Sequence, residues 1–314
     1  MRAIAIQAFG GPEALALLDL PRPKPARGEI LLRIVAAGVN PVDVKIRDGS
    51  LPAGVTHGFP LIPGWDAAGV VDELGEGSQR FRKGDRVFVY ARKPHVQWGT
   101  YAEYVAVPER HTALMPSSFL FEEAAALPCA ALTALQAFER AGLAKGQDIV
   151  VLNGSGGVGH LALQLAKIAG ARAIATAGPR NQEFLLACGA SAGIDYTRDD
   201  LVAAVRSRFP NGADVVLDAL GGDVLAPALE VLKPGGVLVS VAGMLDPEVA
   251  RAKGVRFERI SSAPSGEQLA VLAAHAERKK LKAHVETIHP LADAAKAQED
   301  VKAGHVRGKR VLAL

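Results

Sequence analysis

The segment Val151 to Gly170, VLNGSGGVGHLALQLAKIAG, sets four glycines between an apolar strand-like run and a helix-like run. Gly154, Gly156 and Gly159 stand in the spacing Gly-x-Gly-x-x-Gly, with Ser155, Gly157 and Val158 between them. Without a Cβ the backbone can approach a pyrophosphate closely, and the unpaired N–H groups that begin the next helix attract its negative charge. Val150 to Leu152 supply the strand before the turn and Leu161 to Ile168 the apolar stripe after it, the context a dinucleotide fingerprint demands. A triphosphate-binding loop is excluded, because His160 and Leu161 stand where Lys and Ser or Thr are required. The competing reading, a glycine turn without a ligand, is weakened by the strand and helix units that follow.

The end of the second strand separates the two nicotinamide dinucleotides. An NAD site carries Asp or Glu roughly 20 residues past the glycines to bond the ribose 2′-hydroxyl. Here the strand ends in IATAGPRNQE, with Thr176, Ala177 and Gly178 in the place of the acid and Arg180 directly after. A guanidinium suits a 2′-phosphate, and no carboxylate stands at the strand end to repel it. The pattern favours NADP(H), with a solvated surface arginine as the alternative for Arg180.

Elements on both sides must position this turn. Residues 1 to about 122 are β-rich: EILLRIVAAGV, AAGVVDELG, DRVFVYA and TYAEYVAVP are β-branched runs separated by Gly, Pro and Asp turns. From about 123 the texture alternates, starting with one long helix, FEEAAALPCAALTALQAFERAG, and continuing through the strands DIVVLNG, ARAIATA, GADVVLDAL, GGVLVSVAG and VRFERIS. Such alternation predicts a doubly wound parallel sheet. After Pro264, SGEQ opens a capped helix, and the tail reads strand, helix, strand. The reading is therefore an α/β protein in which a dinucleotide-binding domain, 123–265, is inserted into a β-rich domain, 1–122 and 266–314.

Composition removes other function classes. The chain has 314 residues, 49% hydrophobic and 22% charged, so it can bury the cores of two domains. Its 36 basic and 33 acidic residues are spread without a basic stripe, which argues against nucleic acid as a partner. The two cysteines, Cys129 and Cys188, form no disulfide framework and fit a reducing compartment. MRAIAIQAFGG reads as a strand rather than a signal peptide, and the most apolar window, Ala124 to Phe138, is interrupted by Pro128 and too short to span a bilayer. The expectation is a cytoplasmic protein without a membrane partner.

Almost the whole chain resembles the zinc-free, quinone oxidoreductase-like branch of the medium-chain dehydrogenases/reductases. The resemblance is carried by AAGVNPVDVKIRDG, PGWDAAGVV, GTYAEY, LPCAALTALQAF, GSGGVGHLALQLAK, DVVLDALGG, LKPGGVLVSVAG and GHVRGK, in that order. It implies a GroES-like β-rich catalytic domain with an inserted Rossmann domain, an active cleft between them, and a homodimer. In zinc-dependent relatives a cysteine ligand lies in a Gly-Val-Cys-x-x-Asp segment and a His-Glu pair in a Gly-His-Glu segment. Here Asn40 stands for that cysteine and Trp65-Asp66 for His-Glu, and Cys129 sits where a third ligand can occur. One thiolate cannot hold a catalytic zinc that needs three protein ligands, so no metal is expected and Cys129 reads as a core cysteine.

Without zinc to acidify an alcohol, the resemblance implies hydride delivery from NADPH to an electrophilic carbon of a quinone or an α,β-unsaturated carbonyl. Charge developing on the carbonyl oxygen then needs a donor. Lys45 is the candidate, since alkenal/enone reductases resemble this chain in carrying lysine there; Asn40 would bond the nicotinamide ribose or the substrate carbonyl. Thr133 resembles a threonine facing the cofactor and Tyr196 a tyrosine beside the 2′-phosphate. Ala219, Leu220 and Gly221, with Val241, Ala242 and Gly243, match loops near the nicotinamide. The segments Leu51 to Phe59 and ARKPHVQWG would shape the substrate pocket. A second class stays open: an NADPH-binding protein with little turnover, similar to crystallin-like relatives.

Overall fold

The computed structural model describes residues 1–51, 54–304 and 306–314. Pro52 and Ala53 of the Leu51 to Phe59 segment, and His305 of GHVRGK, lie outside the described residues. The chain packs as two units, 1–132 with 263–314, and 133–262.

The first unit begins with β1 (Arg2–Ala5), β2 (Ala16–Asp19), β3 (Glu29–Val39), α1 (Pro41–Asp48) and β4 (Thr56–Ile62). It continues through β5 (Asp66–Leu74), β6 (Arg86–Tyr90), β7 (His95–Trp98), β8 (Tyr104–Pro108), β9 (Thr112–Leu114) and α2 (Phe121–Ala125). The expected long helix is in fact two, α2 and α3 (Pro128–Ala141). Pro128 has no N–H to donate and its ring obstructs a preceding turn, so it opens a new helix rather than continuing one. The division between the units falls within α3, later than the composition change near 122, because α2 packs on β3 and β5.

The second unit follows with β10 (Asp148–Val151), α4 (Gly157–Ala169), β11 (Arg172–Ala177), α5 (Gln182–Ala187), β12 (Ala192–Asp195), α6 (Leu201–Arg206), β13 (Ala213–Asp218), α7 (Leu225–Glu230), β14 (Leu232–Ser240), α8 (Pro247–Ala252) and β15 (Arg256–Arg259). The six strands form one parallel sheet in the order β12-β11-β10-β13-β14-β15. Val150, Ile174, Val216 and Leu238 are buried on its faces, as strands covered on both sides require. The order reverses direction beside β10, which is where such sheets open a crevice at their carboxyl ends.

The chain returns through α9 (Gly266–Glu277), β16 (Val285–Pro290), α10 (Ala294–Ala303) and β17 (Lys309–Ala313). β17 pairs antiparallel with β3, in the register Arg310 to Val39, and completes a sheet ordered β16-β17-β3-β5-β6-β9 with β8 also on β3. Its core holds Ile30, Leu32, Val71, Val89, Val105 and Leu312. β4 and β7 form a separate parallel pair, which brings the two expected pocket-shaping segments together.

Candidate active site and nucleotide site

The nucleotide-binding candidates sit where the strands of the parallel sheet end. β10 runs into the glycine turn, and each glycine there answers a different crowding. A Cβ on Gly154 would lie 2.5 Å from Ala175 Cβ, and one on Gly159 2.1 Å from the Asn153 carbonyl oxygen, so helix α4 can sit this close to the turn only with glycine. Gly156 is the N-cap of α4; no side chain caps it and no acid stands in the first turn. The leading N–H groups therefore remain available to an anion, so the turn fits a pyrophosphate.

Neighbouring strand ends supply the rest. Thr176, at the end of β11, accepts the Asn153 N–H through Oγ1 at 3.0 Å, and its carbonyl accepts Gly154 N–H at 2.8 Å. Its hydroxyl thus shapes the turn from beside it. Asn181 Nδ2 donates to Ser155 Oγ at 3.2 Å and ties the turn to the segment holding Arg180. Arg180 is exposed just past β11, and Tyr196, 54% exposed past β12, brings its hydroxyl within 3.4 Å of a Cβ placed on Gly178. A guanidinium and a phenol beside a strand end without an acid fit a 2′-phosphate.

Two further loops are joined by residues the motif reading overlooked. Buried Asp218, last in β13, accepts the Leu220 and Gly221 N–H groups at 2.9 and 3.0 Å and the Ser240 hydroxyl at 2.5 Å. Ser240, last in β14, accepts the Gly243 N–H at 2.7 Å. Ala219 to Gly221 and Val241 to Gly243 are thereby held as one surface, with Gly221 against Gly243 so closely that a Cβ on Gly221 would lie 2.9 Å from Gly243 Cα. The signal was present as an Asp and a Ser closing consecutive parallel strands. Thr133, buried in α3, donates to Ser262 Oγ at 2.8 Å, just beyond β15.

In the first unit, Asn40 caps α1 and is buried. Its N–H donates to Asp43 Oδ2 at 2.8 Å, and its side-chain Nδ2 donates to Asp66 Oδ2 at 2.9 Å. Its Oδ1 accepts from Lys309 Nζ, which also donates to the Val39 carbonyl at 2.8 Å. Lys309 lies 4.0 Å from Asp66, whose other oxygen accepts the Cys129 N–H at 2.8 Å. Burial pushes the Asp43 carboxyl up to about 7 and the Asp66 carboxyl up to about 6, the latter held back by Lys309 and Asn40. Desolvation also pushes the Cys129 thiol up to about 12; the side chain is half-buried rather than part of the core expected for it, with its Sγ 3.7 Å from Tyr90 Oη.

Lys45 lies exposed on α1 between buried Val44 and Ile46. The helix is anchored by buried Arg47, which donates to Gln298 Oε1 at 3.1 Å and Glu299 Oε1 at 2.9 Å on α10. Trp65 is buried edge-on to Tyr90, ring centres 6.0 Å apart, and lines a shallow recess with Lys93, His95, Gln97 and Trp98. Among the described residues, no group of three or more His, Cys, Asp or Glu is arranged to hold a metal ion, and no helix is long and apolar enough to cross a membrane.

The two-unit architecture agrees with the family comparisons. Residues 26–117 match an alcohol dehydrogenase GroES-like domain, and residues 188–312 a family described as zinc-binding dehydrogenase. The chain is 35% identical, over 99% of its length and 79% of the relative's, to the NADPH-dependent alkenal/one oxidoreductase, chloroplastic, of Arabidopsis thaliana. A quinone oxidoreductase structure from Coxiella burnetii superposes with a TM-score of 0.90 at 36% identity, covering 100% of this chain and 99% of the other. The Escherichia coli quinone oxidoreductase complexed with NADPH superposes with a TM-score of 0.89 at 26% identity, with both chains covered in full. The chain belongs to the medium-chain dehydrogenase/reductase superfamily, in its quinone oxidoreductase-like branch.

Proposed function

We propose that this chain is an NADPH-dependent oxidoreductase that reduces a small quinone or α,β-unsaturated carbonyl without zinc. The observation that carries the reading is the loop edge of the parallel sheet, where an uncapped glycine turn after β10, an arginine past β11 and a tyrosine past β12 stand at strand ends of which β11 carries no acid. NADPH, when bound, supplies the hydride. Gly154 to Gly159 would hold its pyrophosphate, Arg180 and Tyr196 its 2′-phosphate, and the joined loops Ala219 to Gly221 and Val241 to Gly243, with Thr133, its nicotinamide end. Thr176, whose hydroxyl holds the turn, would border the cofactor at the end of β11.

In the β-rich domain, Lys45 is assigned as the cation that stabilises negative charge on the substrate's carbonyl oxygen, and Asn40 as the amide that bonds substrate carbonyl or nicotinamide ribose. The paired segments β4 and β7 would form the substrate wall. We further assign the protein to the cytoplasm and its assembly as a homodimer, the latter checked by light scattering of the purified protein. The decisive experiment follows NADPH absorbance over a panel of quinones, alkenals and cyclic enones. Steady oxidation with at least one class is expected, and tight NADPH binding with no oxidation by any of them would overturn the reading in favour of a binding protein.

A further inference from the structure

We propose that Lys309 is a positioning residue, an internal cation that fixes the orientation of the Asn40 amide. The proposal rests on the assignment of Asn40 to the reacting centre. The two residues are 269 positions apart and meet because β17 pairs with β3. Gly308, at φ +72° with no room for a Cβ beside the His284 carbonyl, turns the chain so that Lys309 opens β17.

The chemistry of the two neighbours leaves one arrangement. An ammonium only donates and an ionised carboxylate only accepts, so an amide held between Lys309 Nζ and Asp66 Oδ2 must present oxygen to the first and nitrogen to the second. A half-turn of the amide is almost isosteric, but it would set oxygen against the Asp66 carboxylate and nitrogen against the ammonium, so the two charges hold the same orientation from either side. One of the two Nδ2 hydrogens is used by Asp66, and the other is left as the donor this residue can offer. The ammonium, by drawing on Oδ1, also polarises that remaining N–H. Lys309 is only 4% exposed. Burying an ammonium is costly, and that cost is offset here by the buried Asp66 carboxylate 4.0 Å away, the Val39 carbonyl and the Asn40 amide oxygen, so the lysine both compensates a buried charge and holds the amide.

The test is a cycle of full-length variants, Asn40→Ala, Lys309→Met and both together, assayed with NADPH and an enone, with a melting curve for each. Lys309→Met is expected to lower kcat/KM about 10- to 100-fold, the scale on which orienting hydrogen-bond partners act. Added to Asn40→Ala it should cost nothing further, because its effect passes through that amide. Methylammonium or propylammonium supplied to Lys309→Ala should restore activity in the Asn40 background alone. Should Lys309→Met fail to fold, Asp66→Asn with Lys309→Met removes both charges together and is measured in the same cycle. A Lys309→Met enzyme at wild-type activity, or one that loses the same factor with and without Asn40, overturns the proposal while leaving Asn40 in place. An Asn40→Ala enzyme with wild-type kinetics sinks the underlying assignment and this inference with it.

Discussion

Lys45 and Asn40 are five residues apart and in opposite environments, one exposed and one buried among charges. If the Lys45 ammonium meets the charge developing on an enone, Lys45→Ala and Lys45→Met should both lower kcat by on the order of 10²–10³ with little change in NADPH affinity. A readily reduced quinone should suffer less; wild-type enone turnover in both variants would remove Lys45 from the chemistry. Arg180 is exposed, so its contact with a 2′-phosphate is worth about 1.5 kcal/mol, the lower end for a charged hydrogen bond. Arg180→Ala should thus reduce the preference in kcat/KM for NADPH over NADH roughly tenfold, measured by parallel titrations of the two cofactors. Asp43 carries a stability signature. Its carboxyl, near 4 in the unfolded chain and about 7 when buried, holds its proton longer in the folded state. Stability is therefore highest below about pH 4 for this group and is lost as pH rises towards 7, by on the order of a few kcal/mol. Asp43→Asn can still accept from Asn40 N–H and Tyr101 Oη, and urea unfolding at pH 5 and pH 8 should show a flatter dependence in that variant.

Helix α4 carries the next level of the argument, since its start is both a packing contact and a binding surface. A methyl group at Gly159 would press on the Asn153 carbonyl and the Gly154 backbone, so α4 must move away from β10. Gly159→Ala should weaken NADPH binding by at least tenfold in a fluorescence titration and lower the melting temperature; unchanged binding would show that the turn tolerates a wider geometry than the structure gives it. The same kind of local chemistry explains where the sequence-based elements failed. Pro128 sits inside a run that reads as one helix, and the chain breaks there. β12 was overlooked because its four residues, Ala192 to Asp195, include Ala and Gly and show no alternation; only pairing with β11 makes them a strand.

The whole molecule bears on the metal question. Asp66 bonds both the Asn40 amide and the Cys129 main chain, and the Lys309 ammonium stands against Asp66 and Asn40. An amide and a lysine at these positions are poor partners for a divalent cation, leaving a single thiol as the one soft ligand. Purified protein should contain far less than one zinc per chain by elemental analysis and should keep its enone or quinone activity after dialysis against a chelator. Loss of activity restored by zinc would refute this.

What the sequence determined by itself lies in short-range pattern. The Gly154 to Gly159 spacing, the missing strand-end acid, Arg180 and the alternation of strand and helix are legible because each depends on residues within a turn or two of one another. What tertiary structure decided depends on partners far apart. Whether Asn40 faces a lysine, whether Asp66 bonds the Cys129 main chain, and whether Asp218 and Ser240 knit two loops are set by the registers of β17 on β3 and β14 on β13. A buried polar group must find a partner, but the identity of that partner is fixed by which strands become neighbours, and no local spacing in the chain encodes it.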